Sequence, residues 1–126
     1  MKAILDASFT LDFLLPDEQS INVIEIFEEY KNNKIQFVSS PILPFEVANG
    51  LKYAVKSKRI TKEEVTKILM IFLDIEIEFL EIDIRDTLSL SLKEDLSIYD
   101  ASYLVLAEGK NFPLLTLDNR LKKLTK

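Results

Sequence analysis

At 126 residues, 48% of them hydrophobic, the chain is long enough for one domain with a substantial core and too short to expect two, so a single domain over 1–126 is expected. It holds no histidine, no cysteine and only two glycines, Gly50 and Gly109, which excludes Ser-His-Asp and Cys-His sites, disulfides, the usual zinc ligand sets and a Gly-rich phosphate cradle. A net charge of -5 repels nucleic acid on average, and with no signal peptide and no apolar run of the ~20 residues that span a bilayer, a cytoplasmic location is expected.

Taken from the amino terminus, Lys2-Ala3-Ile4-Leu5 is a short apolar run ending at Asp6, and a second apolar set follows at Phe9, Leu11, Phe13, Leu14 and Leu15. The pattern predicts a buried strand with Asp6 at its carboxyl end, then a short helix stopped by Pro16. Asp17 and Glu18 are expected to open an amphipathic helix with Ile21, Ile24, Phe27 and Tyr30 on one side and acids on the other. Ile35 to Val38 reads as a second strand, after which Ser39, Ser40 and Pro41 turn the chain into a helix carrying Phe45, Val47, Leu51, Tyr53 and Val55. Glu46 sits in its first turns among apolar neighbours. It is either an acid favourably placed near a helix N-terminus, worth about 0.3 to 1 kcal/mol, or a carboxylate aimed into a shared site.

Thr61-Lys62-Glu63-Glu64 is a capping box, and the helix it starts carries Ile68-Leu69-Met70-Ile71-Phe72-Leu73, apolar on all sides. A surface helix needs only one apolar stripe, so this segment is covered on more than one side, either by the core or by a subunit or partner. Ile75, Ile77 and Phe79 alternate with Glu76 and Glu78, as in an edge strand with one wet face. A helix around Arg85 to Leu92 follows. The stretch from Ser97 to Glu108 then reads as a further helix, and Pro113 to Asn119 as a buried strand with an acid just past its end. Asp100, three residues after Ser97, forms a capping-box-like pair with it, and Asp118 is placed to cap a helix beginning near Asn119.

Short apolar strands alternating with helices imply an α/β fold with a mainly parallel sheet covered on both faces. Ligands in such sheets gather beyond the carboxyl ends of the strands, where Asp6 and Asp118 fall, and helices starting at the same edge could present Glu46 and Asp100. Four converging carboxylates repel one another unless a cation joins them, so such a cluster usually exists to hold a hard ion such as Mg2+ or Mn2+. One or two such ions activate water and orient a phosphodiester for in-line attack without histidine, cysteine or a ribose 2′-hydroxyl.

The motifs Asp6-Ala7-Ser8, Glu46-Val47 with Leu51 following, Tyr99-Asp100-Ala101 with Leu106-Ala107 following, and Leu115-Thr116-Leu117-Asp118 resemble the four acidic motifs of PIN-domain ribonucleases, especially the VapC-type toxins of toxin-antitoxin pairs. The resemblance covers nearly the whole chain in the right order. It implies a three-layer α/β/α sandwich and a metal site whose catalytic and ligating residues are Asp6, Glu46, Asp100 and Asp118. It further implies that Ser8 and Thr116 hold those acids by hydrogen bonds, with Asn119 as a neighbour. It also implies an RNA substrate cut to a 5′-phosphate and a 3′-hydroxyl, a homodimer, and a small antitoxin covering the active-site groove.

Two basic patches bear on an RNA partner. Lys52, Lys56, Lys58, Arg59, Lys62 and Lys67 lie along one helical hairpin, and Arg120, Lys122, Lys123 and Lys126 close the chain beside Asp118. Both are compatible with plain solvated surface; the C-terminal one, with Arg120, Lys122 and Lys123, is favoured for phosphate contact because its helix starts at the proposed site. No aromatic-basic interleaving of the kind that stacks many bases is present. Two other classes stay open on sequence alone. One is a PIN-like module that only binds RNA or protein. The other is a Mg2+-dependent receiver-like phosphoacceptor, disfavoured because Asp6 is followed by Ala7 and Asp118 by Asn119.

Overall fold

The computed structural model describes residues 1–125, so Lys126 of the C-terminal basic patch lies outside the described residues. Strand β1 (Lys2–Leu5) runs through the sheet interior, flanked by β2 (Gln36–Ser39) on one side and β4 (Leu114–Leu115) on the other, with β3 (Ile77–Phe79) beyond β2. All pairings are parallel, with Ile4 opposite Val38 and Leu114. Ala3, Ile4 and Leu5 are fully buried. A strand covered on both faces has no wet side to mark, which is why this run is continuously apolar.

Helices α1 (Ala7–Leu14), α2 (Ile21–Lys31), α3 (Leu43–Lys56) and α4 (Lys62–Leu73) pack on one another to one side. On the other, α6 (Ile98–Lys110) packs on β1 and β4, and α5 (Ile84–Glu94) packs on α6. This is the α/β/α sandwich expected. The main core joins the strands to α1–α4, with Phe27 stacked on Phe13 at 3.8 Å between ring centroids and tilted against Phe37 at 5.0 Å. A smaller cluster of Leu96, Ala101, Leu104 and Leu121 seats the short C-terminal helix α7 (Asn119–Leu124).

The structure revises several local expectations. Helix α2 starts at Ile21, not at Asp17 and Glu18, because those two acids are taken up by the Arg59 guanidinium, at 2.8 and 2.5 Å. The buried stripe of α2 is Val23 and Phe27, while Ile21 and Ile24 face solvent. On α3 the buried residues include Val47 and Leu51, and Phe45 and Tyr53 are exposed. In α4 the capping box closes in both directions between Thr61 and Glu64 as expected. The apolar segment after it divides: Ile68 and Phe72 are core, whereas Met70, Ile71 and Leu73 are more than half exposed. β3 is an edge strand, in keeping with its alternating pattern.

Candidate functional site

The chain leaves β1 to reach β2 on one side and later places β4 on the other, so the sheet order reverses at β1 and opens a crevice at the carboxyl ends of β1 and β4. Asp6 follows β1 and caps α1. Its Oδ1 accepts the Phe9 amide at 2.9 Å and the Ser8 hydroxyl at 2.8 Å, and its Oδ2 accepts the Thr116 hydroxyl. Asp118 follows β4 and caps α7, with Oδ1 accepting the Arg120 and Leu121 amides at 2.9 and 3.1 Å. Glu46 stands in the first turn of α3 and Asp100 in the first turn of α6. Together with Ser8, Asn49 and Tyr103, these four acids line one cleft of about 290 Å³. The N-termini of α1, α3, α6 and α7 thus meet at one place, and their positive dipole ends offset part of the repulsion among four carboxylates.

Capping and cleft lining are therefore not alternatives here, since Asp6 and Asp118 do both. At α6 the cap is Ser97, whose Oγ accepts the Asp100 amide at 3.0 Å. The return arm that completes the box at Thr61 and Glu64 is not made at Ser97, which leaves the Asp100 carboxylate on the cleft wall.

The electrostatics carry the mark of crowding. Burial pushes the Asp6 carboxyl above its ordinary value, against the pull of the Phe9, Thr116 and Ser8 donors, and the Asp100 charge adds to the rise. Glu46 is raised by burial, with the Tyr103 hydroxyl opposing and the charges of Asp100 and Asp6 reinforcing. Asp100 is raised by burial and then by the Asp118 charge, against Ser97 and Arg120. Groups perturbed by both burial and one another, gathered in a cleft, mark a candidate functional site. A larger hollow of about 670 Å³ beside β3 is lined by Tyr30, Phe37 and Phe79, and its acids, Asp74, Glu76 and Glu78, are exposed to solvent. Chemistry rather than size makes the acidic cleft the candidate site.

All four acids are hard oxygen donors of the kind Mg2+ and Mn2+ take. Among the described residues no three acidic side chains are already drawn into a cage for an ion. Hydrogen bonds to Asp6, Glu46 and Asp118 hold those carboxylates around the walls of the cleft, and a cation would have to draw them inward.

Two cleft residues escaped the sequence reading. Tyr103 is 1% exposed, and its hydroxyl donates to Glu46 Oε1 at 2.6 Å. It follows Asp100 by one helical turn, as Asn49 follows Glu46, so the spacing was available as a signal; Tyr103 was masked by its apolar run. Behind the site, Ser102 donates to Ser40 at 2.9 Å and Ser39 to the Leu5 carbonyl at 2.6 Å, tying α6 and the strand ends together. Asn119 opens α7 but does not line the cleft. Of the basic residues, Arg59 is committed to Asp17 and Glu18, the Arg120 guanidinium donates to the Glu94 carbonyl, and Lys122 and Lys123 are exposed.

A profile of the PIN domain matches residues 3–126. The chain belongs to the PIN-domain family. The resemblance drawn from the four acidic motifs is thereby borne out, and the receiver-like alternative is set aside. This PIN domain is similar to ribonuclease VapC3 of Pyrobaculum aerophilum, with 28% identity over 125 residues that span 96% of this chain and 92% of the relative. Its fold is similar to the crystal structure of PAE2754 from Pyrobaculum aerophilum, with a TM-score of 0.71 at 20% identity, covering 100% of this chain and 89% of the other. No helix of the described residues is long and apolar enough to cross a membrane.

Proposed function

We propose that this PIN domain is a Mg2+- or Mn2+-dependent endoribonuclease and the toxin of a toxin-antitoxin pair, with Asp6, Glu46, Asp100 and Asp118 as its catalytic and metal-ligating residues. The observation that carries the reading is the meeting of these four carboxylates in one cleft at the sheet's switch point. The similarity to ribonuclease VapC3 of Pyrobaculum aerophilum points the same way.

When bound, the ion supplies Lewis-acid activation of water and stabilisation of charge on the phosphodiester. The chain's own residues do the positioning. Ser8 and Thr116 hold Asp6 in one orientation, Thr116 also receives the Asp118 amide at 3.0 Å, and the Ser8 oxygen receives the Leu117 amide at 3.0 Å. Both carboxylates that follow strands are thus tied to the same short segment. Lys122 and Lys123, exposed on α7 beside Asp118, are placed for phosphate contact, with Arg120 supporting the α5–α7 junction through Glu94. A homodimer, a small antitoxin partner and a cytoplasmic location belong to the same reading.

Purified protein free of antitoxin should cleave single-stranded RNA in Mn2+ or Mg2+ and stop in EDTA, with Ca2+ a poor substitute. RNA binding without cleavage in any of these ions would instead make it a binding module on a PIN scaffold. Cleavage persisting in EDTA would mark a contaminating nuclease or a different mechanism.

A further inference from the structure

We infer that Tyr103 is a positioning residue that sets which cation the cleft prefers, by leaving Glu46 a single carboxylate oxygen free of hydrogen bonds. This rests on the metal-site reading above and goes beyond it by assigning cation choice to one side chain.

Each carboxylate oxygen offers a pair of lone-pair directions, so the hydrogen bonds already made determine what remains. Asp6 Oδ1 is filled by the Phe9 amide and the Ser8 hydroxyl, and Oδ2 already receives Thr116. Asp118 Oδ1 is filled by two backbone amides, which leaves Oδ2. Glu46 Oε1 receives the Tyr103 phenol at 2.6 Å, a length typical of a hydroxyl bonded to an ionised acid, which leaves Oε2. Asp118 and Glu46 therefore each keep one oxygen free of hydrogen bonds, and Asp6 keeps none.

At Asp118 the restriction comes with the helix cap, and at Asp6 with the cap amide together with the Ser8 and Thr116 hydroxyls. At Glu46 it comes from a buried side chain on another helix, 57 residues away in sequence, so a single substitution lifts it. One-oxygen ligands suit small ions such as Mg2+, which keep a near-ideal octahedron completed by water. Ca2+ takes more oxygens and commonly both from one carboxylate. To chelate with both oxygens, Glu46 would have to share or surrender the phenol's bond.

The test is calorimetric titration of wild type and Tyr103→Phe with Mn2+ and with Ca2+, alongside melts in EDTA. Wild type should prefer Mn2+, and the variant should lose about ten-fold in Mn2+ affinity while keeping or gaining Ca2+ affinity. An unchanged Mn2+ to Ca2+ ratio in a folded variant overturns the role of Tyr103 and leaves the nuclease reading intact. Wild type that binds no Mn2+ sinks both. A measurement that leaves Tyr103 in place guards against a Tyr103→Phe protein that fails to fold. In infrared spectra of Mn2+-loaded minus metal-free protein, the antisymmetric and symmetric carboxylate stretches should move apart, as for one-oxygen coordination. Bands that move together in wild type and are lost in Glu46→Gln show chelation by Glu46 and overturn the inference.

Discussion

Thr116 donates its hydroxyl hydrogen to Oδ2 of Asp6, a residue 110 positions earlier, while the same hydroxyl oxygen accepts the Asp118 amide at 3.0 Å. One side chain at the end of β4 thus fixes the acid after β1 and the turn that carries the acid after β4. The exchange is buried, with Asp6 3% and Thr116 5% exposed, so water cannot replace the hydroxyl if it is lost.

Thr116→Val keeps the shape and removes both bonds. It should cost roughly 1 to 3 kcal/mol, the penalty of leaving buried polar groups unsatisfied, and Thr116→Ser should recover most of it. Urea melts of the three proteins in EDTA measure the difference. Equal stability of the valine and serine variants would mean that the hydroxyl contributes nothing.

Asp100→Asn removes one charge from the cleft at nearly constant shape. Cleavage should be abolished, while metal-free stability should hold or rise by on the order of 1 kcal/mol as repulsion and a buried charge are relieved. Added Mn2+ should raise the melting temperature of wild type more than that of the variant, because binding to the folded state adds stability by mass action. A variant that is indifferent to metal yet still cleaves RNA would sink the proposed site.

Asp6, Glu46 and Asp100 all have carboxyl groups raised above their ordinary values by burial, so the folded protein holds their protons more tightly than the unfolded chain. Their contribution to stability is fully present below the unfolded value, about pH 4, and is lost as pH rises through the folded values. Asp17 and Asp83 have the opposite sign, since Arg59 and Arg85 lower them, but both are exposed and their contributions are screened. In EDTA, the advantage of Asp100→Asn over wild type should therefore grow from about pH 4 towards neutrality. Parallel melting curves across that range would show that the cleft acids do not titrate as described.

The divided face of α4 separates core from contact. Phe72 is 3% exposed, so Phe72→Asp should unfold the domain, at a cost of at least ~3 kcal/mol, whatever its oligomeric state. Leu73 is 61% exposed, and Leu73→Asp should leave the fold intact and weaken self-association if this face joins two copies. Sedimentation velocity with a thermal melt reads both. A wild type that is monomeric at high concentration removes the dimer from the proposal.

The sequence by itself determined the alternation of strands and helices, the parallel α/β class, and the positions of Asp6 and Asp118 just past strand ends. The reason is local: a run such as Ala3 to Leu5 has no wet face, and an acid that ends it must lie at the sheet's edge. The box at Thr61 and Glu64 was legible because both partners lie within one turn. Tertiary structure alone decided which apolar faces are covered, as Ile21, Phe45 and Leu73 show by facing solvent. Periodicity marks an apolar side of a helix but not whether anything packs on it. It alone also decided the pairings that span the chain, Asp17 with Arg59, Asp6 with Thr116 and Glu46 with Tyr103. A hydrogen bond needs its atoms within a few tenths of an ångström of the right distance, and only the packing of separate elements sets that distance.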